Sequence, residues 1–180
     1  LYAGCGLFAL TLAGQVGEVV AVEAHRAAAA DGERSAELNG IRNCVFRTGP
    51  VERQVGDPRI GRFDTVVADP PREGLGDGVL EGIVRACRAR RLVLVSCDPL
   101  TLARDLALAE GLGGRVERVL PVDMFPHTHH LESVATIVFD RAAPASGVRP
   151  TAAAVRAGGG KRRRTRDAGG RAGLHRTRTR

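Results

Sequence analysis

Arg91-Leu92-Val93-Leu94-Val95-Ser96-Cys97-Asp98-Pro99 is the stretch that decides the fold. Its unbroken Leu-Val-Leu-Val reads as a buried strand of the kind that parallel sheets use. Pro99 then opens a helix, because proline is tolerated in a first helical turn, and Gly111 closes it. Upstream the pattern recurs: Phe63 to Ala68 reads as a strong strand ended by Asp69-Pro70-Pro71, with a helix over 77–90. Earlier still, Val19-Val20-Ala21-Val22 reads as a buried strand ending at Glu23. An Ala-rich helix follows over 26–38, stopped by Asn39-Gly40, and Cys44-Val45-Phe46 is a weak strand. Downstream, strands at 115–122 and 133–139 flank an irregular, His-rich segment at 123–132. Leu1-Tyr2 reads as the last step of one more strand, most of which the chain lacks. Strands alternating with helices predict an α/β protein with a Rossmann-like, doubly wound sheet.

Composition limits what such a domain does. The 180 residues suit about one domain. With 43% apolar residues, 3% aromatic and no Trp, the core has to be built from Val, Leu, Ile and Ala. No apolar run reaches the roughly 18 residues of a membrane span, and no signal peptide is visible, so the expectation is a soluble, cytoplasmic protein. The net charge of +7 is unevenly spread. Residues 141–180 hold 12 Lys/Arg against one Asp, whereas residues 1–140 hold 15 Lys/Arg against 19 Asp/Glu. The predicted organisation is therefore a mildly acidic folded part, 1–140, and a basic tail, 141–180, too poor in apolar residues to order itself. That tail, centred on Lys161-Arg162-Arg163-Arg164, is either a sequence-blind phosphate-binding arm or a solvated extension. Cys5, Cys44, Cys87 and Cys97 form no C-x-x-C pair, which suits neither zinc nor a disulfide scaffold and suggests a reducing compartment.

Four stretches carry possible chemistry. Gly4-Cys5-Gly6-Leu7-Phe8-Ala9 fits G-x-G-x-x-G/A, with Glu23 following at a strand end. Glycines let a backbone approach a ligand, and the acidic residue can bind ribose hydroxyls; the pattern admits NAD, S-adenosylmethionine (SAM) or a plain tight turn. Asp69-Pro70-Pro71-Arg72 ends a second strand, where open α/β sheets bind ligands, and its prolines hold the carboxylate in place. Cys97 ends the neighbouring strand ahead of a helix whose N-terminal end favours a thiolate, and the bland alternative is a buried, inert thiol. Cys5, Cys44 and Cys87 are read as buried and inert. Phe125-Pro126-His127-Thr128-His129-His130-Leu131-Glu132 offers an imidazole or carboxylate base, or merely a polar hairpin loop. No second ligand cluster accompanies its histidines, so no metal is expected.

Together these stretches resemble one family, the RNA uracil-5-methyltransferases. The likeness spans residues 1–140 and rests on 1–8, Val-Ala-Val-Glu at 20–23, Asn39-Gly40 with Asn43, 69–74, 96–105 and 121–132. It implies a class I SAM-dependent methyltransferase fold with the first strand mostly missing. It implies catalysis by Cys97 as nucleophile and Glu132 as general base. SAM is the implied cofactor, with Tyr2, Gly4, Gly6, Leu7, Glu23 and Asp69 at positions that hold it. The implied partner is a tRNA or rRNA substrate met by a monomer, with no membrane. Leu7 stands where relatives often carry Asn, so its contact is backbone or apolar, and Pro50 stands where an acidic residue is common. The family's RNA-binding part, with any iron–sulfur cysteines and a further SAM-contacting Gln, is not in this chain. A piece lacking a central strand is expected to be inactive alone. An NAD-type oxidoreductase would explain the glycine loop and Glu23 but leave Cys97, Asp69 and Glu132 idle. A non-catalytic nucleic-acid-binding remnant would make Cys97 dispensable.

Overall fold

The computed structural model describes residues 1–128 and 130–139. In chain order these form α1 (Leu7–Ala13), β1 (Val19–Glu23), α2 (Arg26–Leu38), β2 (Cys44–Thr48) and α3 (Val51–Gly56). A 3-10 turn (Pro58–Ile60), β3 (Thr65–Ala68) and α4 (Val79–Glu81) follow, α4 running on as a π turn over Gly82–Ala86. Then come β4 (Arg91–Ser96), α5 (Pro99–Gly111), β5 (Gly114–Val122) and β6 (Glu132–Phe139).

The strands make two sheets, β1-β2 and β3-β4-β6-β5. The first is parallel, as is the β3–β4 pair, while β6 runs antiparallel to both of its neighbours. Leu1–Ala3 lies between the sheets and touches each. The Leu1 amine donates to the Val67 carbonyl at 2.7 Å, and the Ala3 amide donates to the Val22 carbonyl at 2.9 Å. The spatial order is therefore β2-β1, the Leu1–Ala3 stretch, then β3-β4-β6-β5. Tyr2 within that stretch leaves the extended region altogether, with φ at 57°.

One face of β4 and β6 is buried. Leu92 and Leu94 of β4 and Ala135 and Ile137 of β6 pack with Val55, Val79 and Ile83 in the main core. Val93 and Val95 on the opposite face are only half-buried, so β4 is not covered equally on both sides as its apolar run predicts. β6, antiparallel to β4, shows the same alternation of buried and half-buried residues.

Elsewhere α2, β4 and α5 have their predicted bounds, whereas the helix expected over 77–90 is shorter. Arg88, in the left-handed region at φ 51°, turns the chain toward β4. α3 was not anticipated. It is a single short turn whose only apolar signal is Val51 and Val55, one helical turn apart and both buried. A smaller core forms around Phe46, Ala21 and Ala29. There Phe46 lies so close to Gly32 and Gly6 that a Cβ on either would come within 2.3 Å and 2.7 Å of its ring. Among the cysteines, Cys87 is buried as expected, but Cys5 is exposed and Cys44 only half-buried. No helix among the described residues is long and apolar enough to cross a membrane. The basic-tail expectation for 141–180 falls outside the described residues.

Candidate active site

The predicted site residues gather at the carboxyl ends of β1, β3 and β4, with the amino end of β6 beside them. The glycine loop comes first. Gly4 (φ 55°) and Gly6 (φ 92°) both occupy the left-handed region, and the Gly6 amide donates to the Ala3 carbonyl at 2.8 Å. That conformation carries little steric penalty for glycine, and Phe46 beneath the loop leaves Gly6 no room for a side chain. Glu23, at the end of β1, is fixed to this loop. One carboxylate oxygen accepts from the Gly4 amide at 2.7 Å, and the other accepts from the His25 amide at 2.7 Å. Each oxygen keeps a further lone pair, so the carboxylate is both aimed and still able to accept two hydroxyls. His25 in turn caps α2, its Nδ1 accepting from the Ala28 amide at 3.4 Å.

Leu7 is the first residue of α1 and its side chain is largely exposed, which restricts it to a backbone or apolar contact. Tyr2 points elsewhere than its predicted role suggests, with its ring against the main core. Its buried hydroxyl has no well-aligned hydrogen-bond partner among the described residues. Burial raises its pKa, and the nearby Gly76 backbone offsets part of that rise. Asp69 follows β3, with its amide reaching the Leu1 carbonyl at 3.4 Å. Its tip is exposed but its flanks are crowded, and this partial desolvation raises its carboxyl pKa, with the Leu1 amine opposing.

Cys97 sits inside a hydrogen-bonded turn. The Ser96 hydroxyl donates to the Asp98 carbonyl at 3.0 Å and accepts from the Asp98 amide at 3.2 Å. Asp98 caps α5, one carboxylate oxygen accepting from the Leu100 and Thr101 amides at 2.9 Å each. Those amides, Thr101 foremost, pull the Asp98 pKa below its usual value, and Arg72 adds to the effect. The antiparallel register then brings the second predicted catalytic residue alongside. Val95 pairs with Val134 and Ser96 with Ser133, where the ladder ends, so Cys97 lies in the turn just after β4 and Glu132 is the first residue of β6. Both residues are half-buried.

The loop before β6 meets the turn that follows Asp69. Arg72 Nη2 lies 3.2 Å from His130 Nδ1, and Phe125 meets the same imidazole edge-on at 6.2 Å between centroids. A guanidinium only donates, so Nδ1 accepts and the proton of a neutral ring sits on Nε2. His129 lies outside the described residues. Among those described, no group of three or more His, Cys, Asp or Glu is placed to hold a metal ion. Two open surface hollows, one beside Arg47, Thr48 and Asp57 and one beside Asp64, Arg90 and Glu117, include none of the predicted site residues.

Two structural roles escaped the sequence. The Asn43 side chain donates to the Ala13 and Val16 carbonyls at 2.8 and 3.0 Å, tying the end of α1 to the start of β2. No local pattern marks such a contact. Asp105 is buried on α5 and holds the loop after Asp69. It was legible as a carboxylate in line with Leu102 and Ala109, the other buried residues of that helix.

Known proteins resemble this chain in sequence and in fold. Residues 59–139 match the tRNA (uracil-5-)-methyltransferase family. An uncharacterized RNA methyltransferase of Geobacter sulfurreducens is 47% identical over 142 residues, which is 77% of this chain and 28% of that protein. One from Thermotoga maritima is 40% identical over 141 residues, 77% of this chain and 31% of the relative. The chain thus spans under a third of the length of these relatives. Among solved structures, the Pyrococcus abyssi tRNA (uracil-54, C5)-methyltransferase in complex with S-adenosyl-L-homocysteine superposes with a TM-score of 0.67 at 32% identity. That match covers 76% of this chain and 33% of the other. An rRNA methylase from Streptococcus thermophilus shares the fold at a TM-score of 0.59 and 15% identity, over 76% of this chain and 81% of that one. The architecture is that of the class I SAM-dependent methyltransferases, and over residues 59–139 the chain matches the tRNA (uracil-5-)-methyltransferase family.

Proposed function

We propose that this chain is the catalytic part of an enzyme that methylates carbon 5 of a uridine in tRNA or rRNA, acting as a monomer through a covalent Cys97–uracil adduct. The observation that supports this reading is the pairing of β4 with β6 up to Ser96–Ser133, with the nucleophile in the turn after one strand and the carboxylate base at the start of the other. The Pyrococcus abyssi protein is named for a carbon-5 uracil reaction and was solved with a SAM product. Glu23 fits that cofactor, because its two anchored oxygens suit the paired hydroxyls of a ribose. Gly4, Gly6 and Leu7 would line its approach by backbone, Asp69 would bound its far side, and Tyr2 would support the loop from the core. When bound, SAM supplies an electrophilic methyl group.

Carbon 5 of uracil is a poor nucleophile until carbon 6 carries a new bond. The Cys97 thiolate adds to carbon 6, and the displaced electron pair makes carbon 5 an enolate-type nucleophile that takes up the methyl group. Glu132 then removes the remaining proton from carbon 5. The returning electrons restore the 5,6 double bond and expel Cys97 as thiolate. A base buried in a stack cannot reach Cys97, so the target uridine has to leave its neighbours. An oxidoreductase reading gives Cys97 and Glu132 nothing to do.

The test is chemical. The full-length protein carrying this sequence, incubated with methyl-labelled SAM and uridine-containing RNA, should place label in 5-methyluridine. Label in any other nucleoside, or none, would remove the reading.

A further inference from the structure

The Asp69–Leu75 loop, which follows β3, is not part of any strand. Two neighbouring residues of α5 hold it. Asp105 is 2% exposed, and its Oδ2 accepts from the Leu75 amide at 2.8 Å. Its Oδ1 accepts from Arg104 Nε at 3.0 Å and Nη2 at 2.8 Å, and the same Nη2 donates to the Glu73 carbonyl at 2.7 Å. One ion pair thus grips the loop by a carbonyl and by an amide on either side of Gly74.

Gly74 is shaped for that grip. Its φ of 78° lies in the left-handed region, and a Cβ there would come within 2.5 Å of both Asp105 Oδ2 and Arg104 Nη2. Its own amide donates to the Pro71 carbonyl at 2.8 Å, which folds the Pro71–Gly74 turn that carries Arg72. α5 is the helix that Asp98 caps immediately after Cys97. A rigid helix therefore connects the nucleophile turn at one end to the loop clamp two turns later.

We propose that Arg104 and Asp105 are positioning residues, which set the Pro71–Leu75 loop at a fixed distance from Cys97 so that the loop forms a wall for the incoming base. The inference rests on the uridine reading above. A salt bridge needed only for stability would have no reason to spend both partners on the backbone of one loop. Burying a carboxylate is costly, and its amide and guanidinium partners offset that cost only while all are in place. Loss of the clamp lets the loop drift while the glycine loop and Glu23, on other elements, stay where they are. Misplacement of reacting groups by about 1 Å can cost about 100-fold in rate.

The experiment uses the full-length protein and three variants, Asp105→Asn, Arg104→Ala and Gly74→Ala, with the double variant Gly74→Ala/Asp105→Ala. Amide hydrogen exchange at Leu75, SAM affinity by calorimetry, and single-turnover kcat with RNA are each measured. Asp105→Asn and Arg104→Ala should both speed exchange at Leu75 and slow methyl transfer by about 10- to 100-fold, with SAM affinity within about twofold of the parent. Gly74→Ala should cost less activity when Asp105 is already Ala, because part of its clash is gone; Asp105→Ala measured alone completes that cycle. Asp105→Asn keeps an acceptor for Leu75 and so should retain more activity than Asp105→Ala. Unchanged kcat with a released Leu75 amide, or equal losses of SAM affinity and rate, overturns the positioning role. If the parent itself does not methylate uridine, the functional reading fails, while hydrogen exchange at Leu75 still decides whether the clamp exists.

Discussion

Ser96 of β4 lies opposite Ser133 of β6 in the last pair of their antiparallel ladder, and both are buried. One residue farther along each strand come Cys97 and Glu132. The two proposed catalytic groups thus flank the end of that ladder, Cys97 in the turn after β4 and Glu132 at the start of β6, and because they are proposed to act at different steps their mutants should fail differently.

Cys97→Ala should form no adduct, since the first bond is never made. Glu132→Gln keeps the shape and removes the base, so addition and methyl transfer proceed while release stalls. Loss of a general base costs about 10²- to 10⁴-fold, enough for the adduct to accumulate. With SAM and substrate RNA, Glu132→Gln in the full-length protein should give a denaturation-resistant protein–RNA band, and adding Cys97→Ala should abolish it. Normal turnover by Glu132→Gln would show that another group takes the proton.

Glu23→Ala should weaken SAM binding by about 10-fold or more, from the loss of hydrogen bonds to a charged acceptor. It should leave the uridine-binding side intact. Calorimetry with SAM and filter binding with RNA separate the two; equal losses in both would mean that Glu23 supports the fold as a whole.

Asp98 gives a pH signature. Its pKa is depressed in the folded protein by the Thr101 and Leu100 amides, so the stability it contributes is present above the ordinary Asp value of 3.8 and is lost as pH falls through the depressed value. Thermal melts of the parent should lose more stability below about pH 4 than those of Asp98→Asn, which keeps the cap without the titration. Parallel acid limbs would show that the cap carbonyl oxygen, and not its charge, carries the effect.

Removing residues 142–180 should act on affinity alone. Fewer Lys and Arg mean fewer released counterions, so RNA binding should weaken and its salt dependence flatten, with the single-turnover rate at saturating RNA unchanged. A large fall in that rate would give the basic segment a part in the chemistry.

Much of this was legible in advance because it is local. Pro99 and Gly111 bound α5 where the sequence puts them, since a helix start and stop are written in neighbouring residues. The run Leu92–Val95 was legible as a strand, but its half-exposed Val93 and Val95 were not, because coverage depends on which strand lies alongside. Glu23 could be read as a ligand carboxylate from its strand-end position, yet its grip on Gly4 joins residues 19 apart and appears only in three dimensions. Tyr2 has a left-handed backbone and a ring packed against the main core, neither of which its motif position announces.

β6 is the last strand in the described chain but not the last in the sheet, since it slots between β4 and β5. A strand that follows both of its neighbours in the chain has to pair with two edges at once. Glu132 begins that strand, so the proposed base comes after β4, α5 and β5 in order of synthesis, and the pairing that seals the sheet is also what positions its carboxylate.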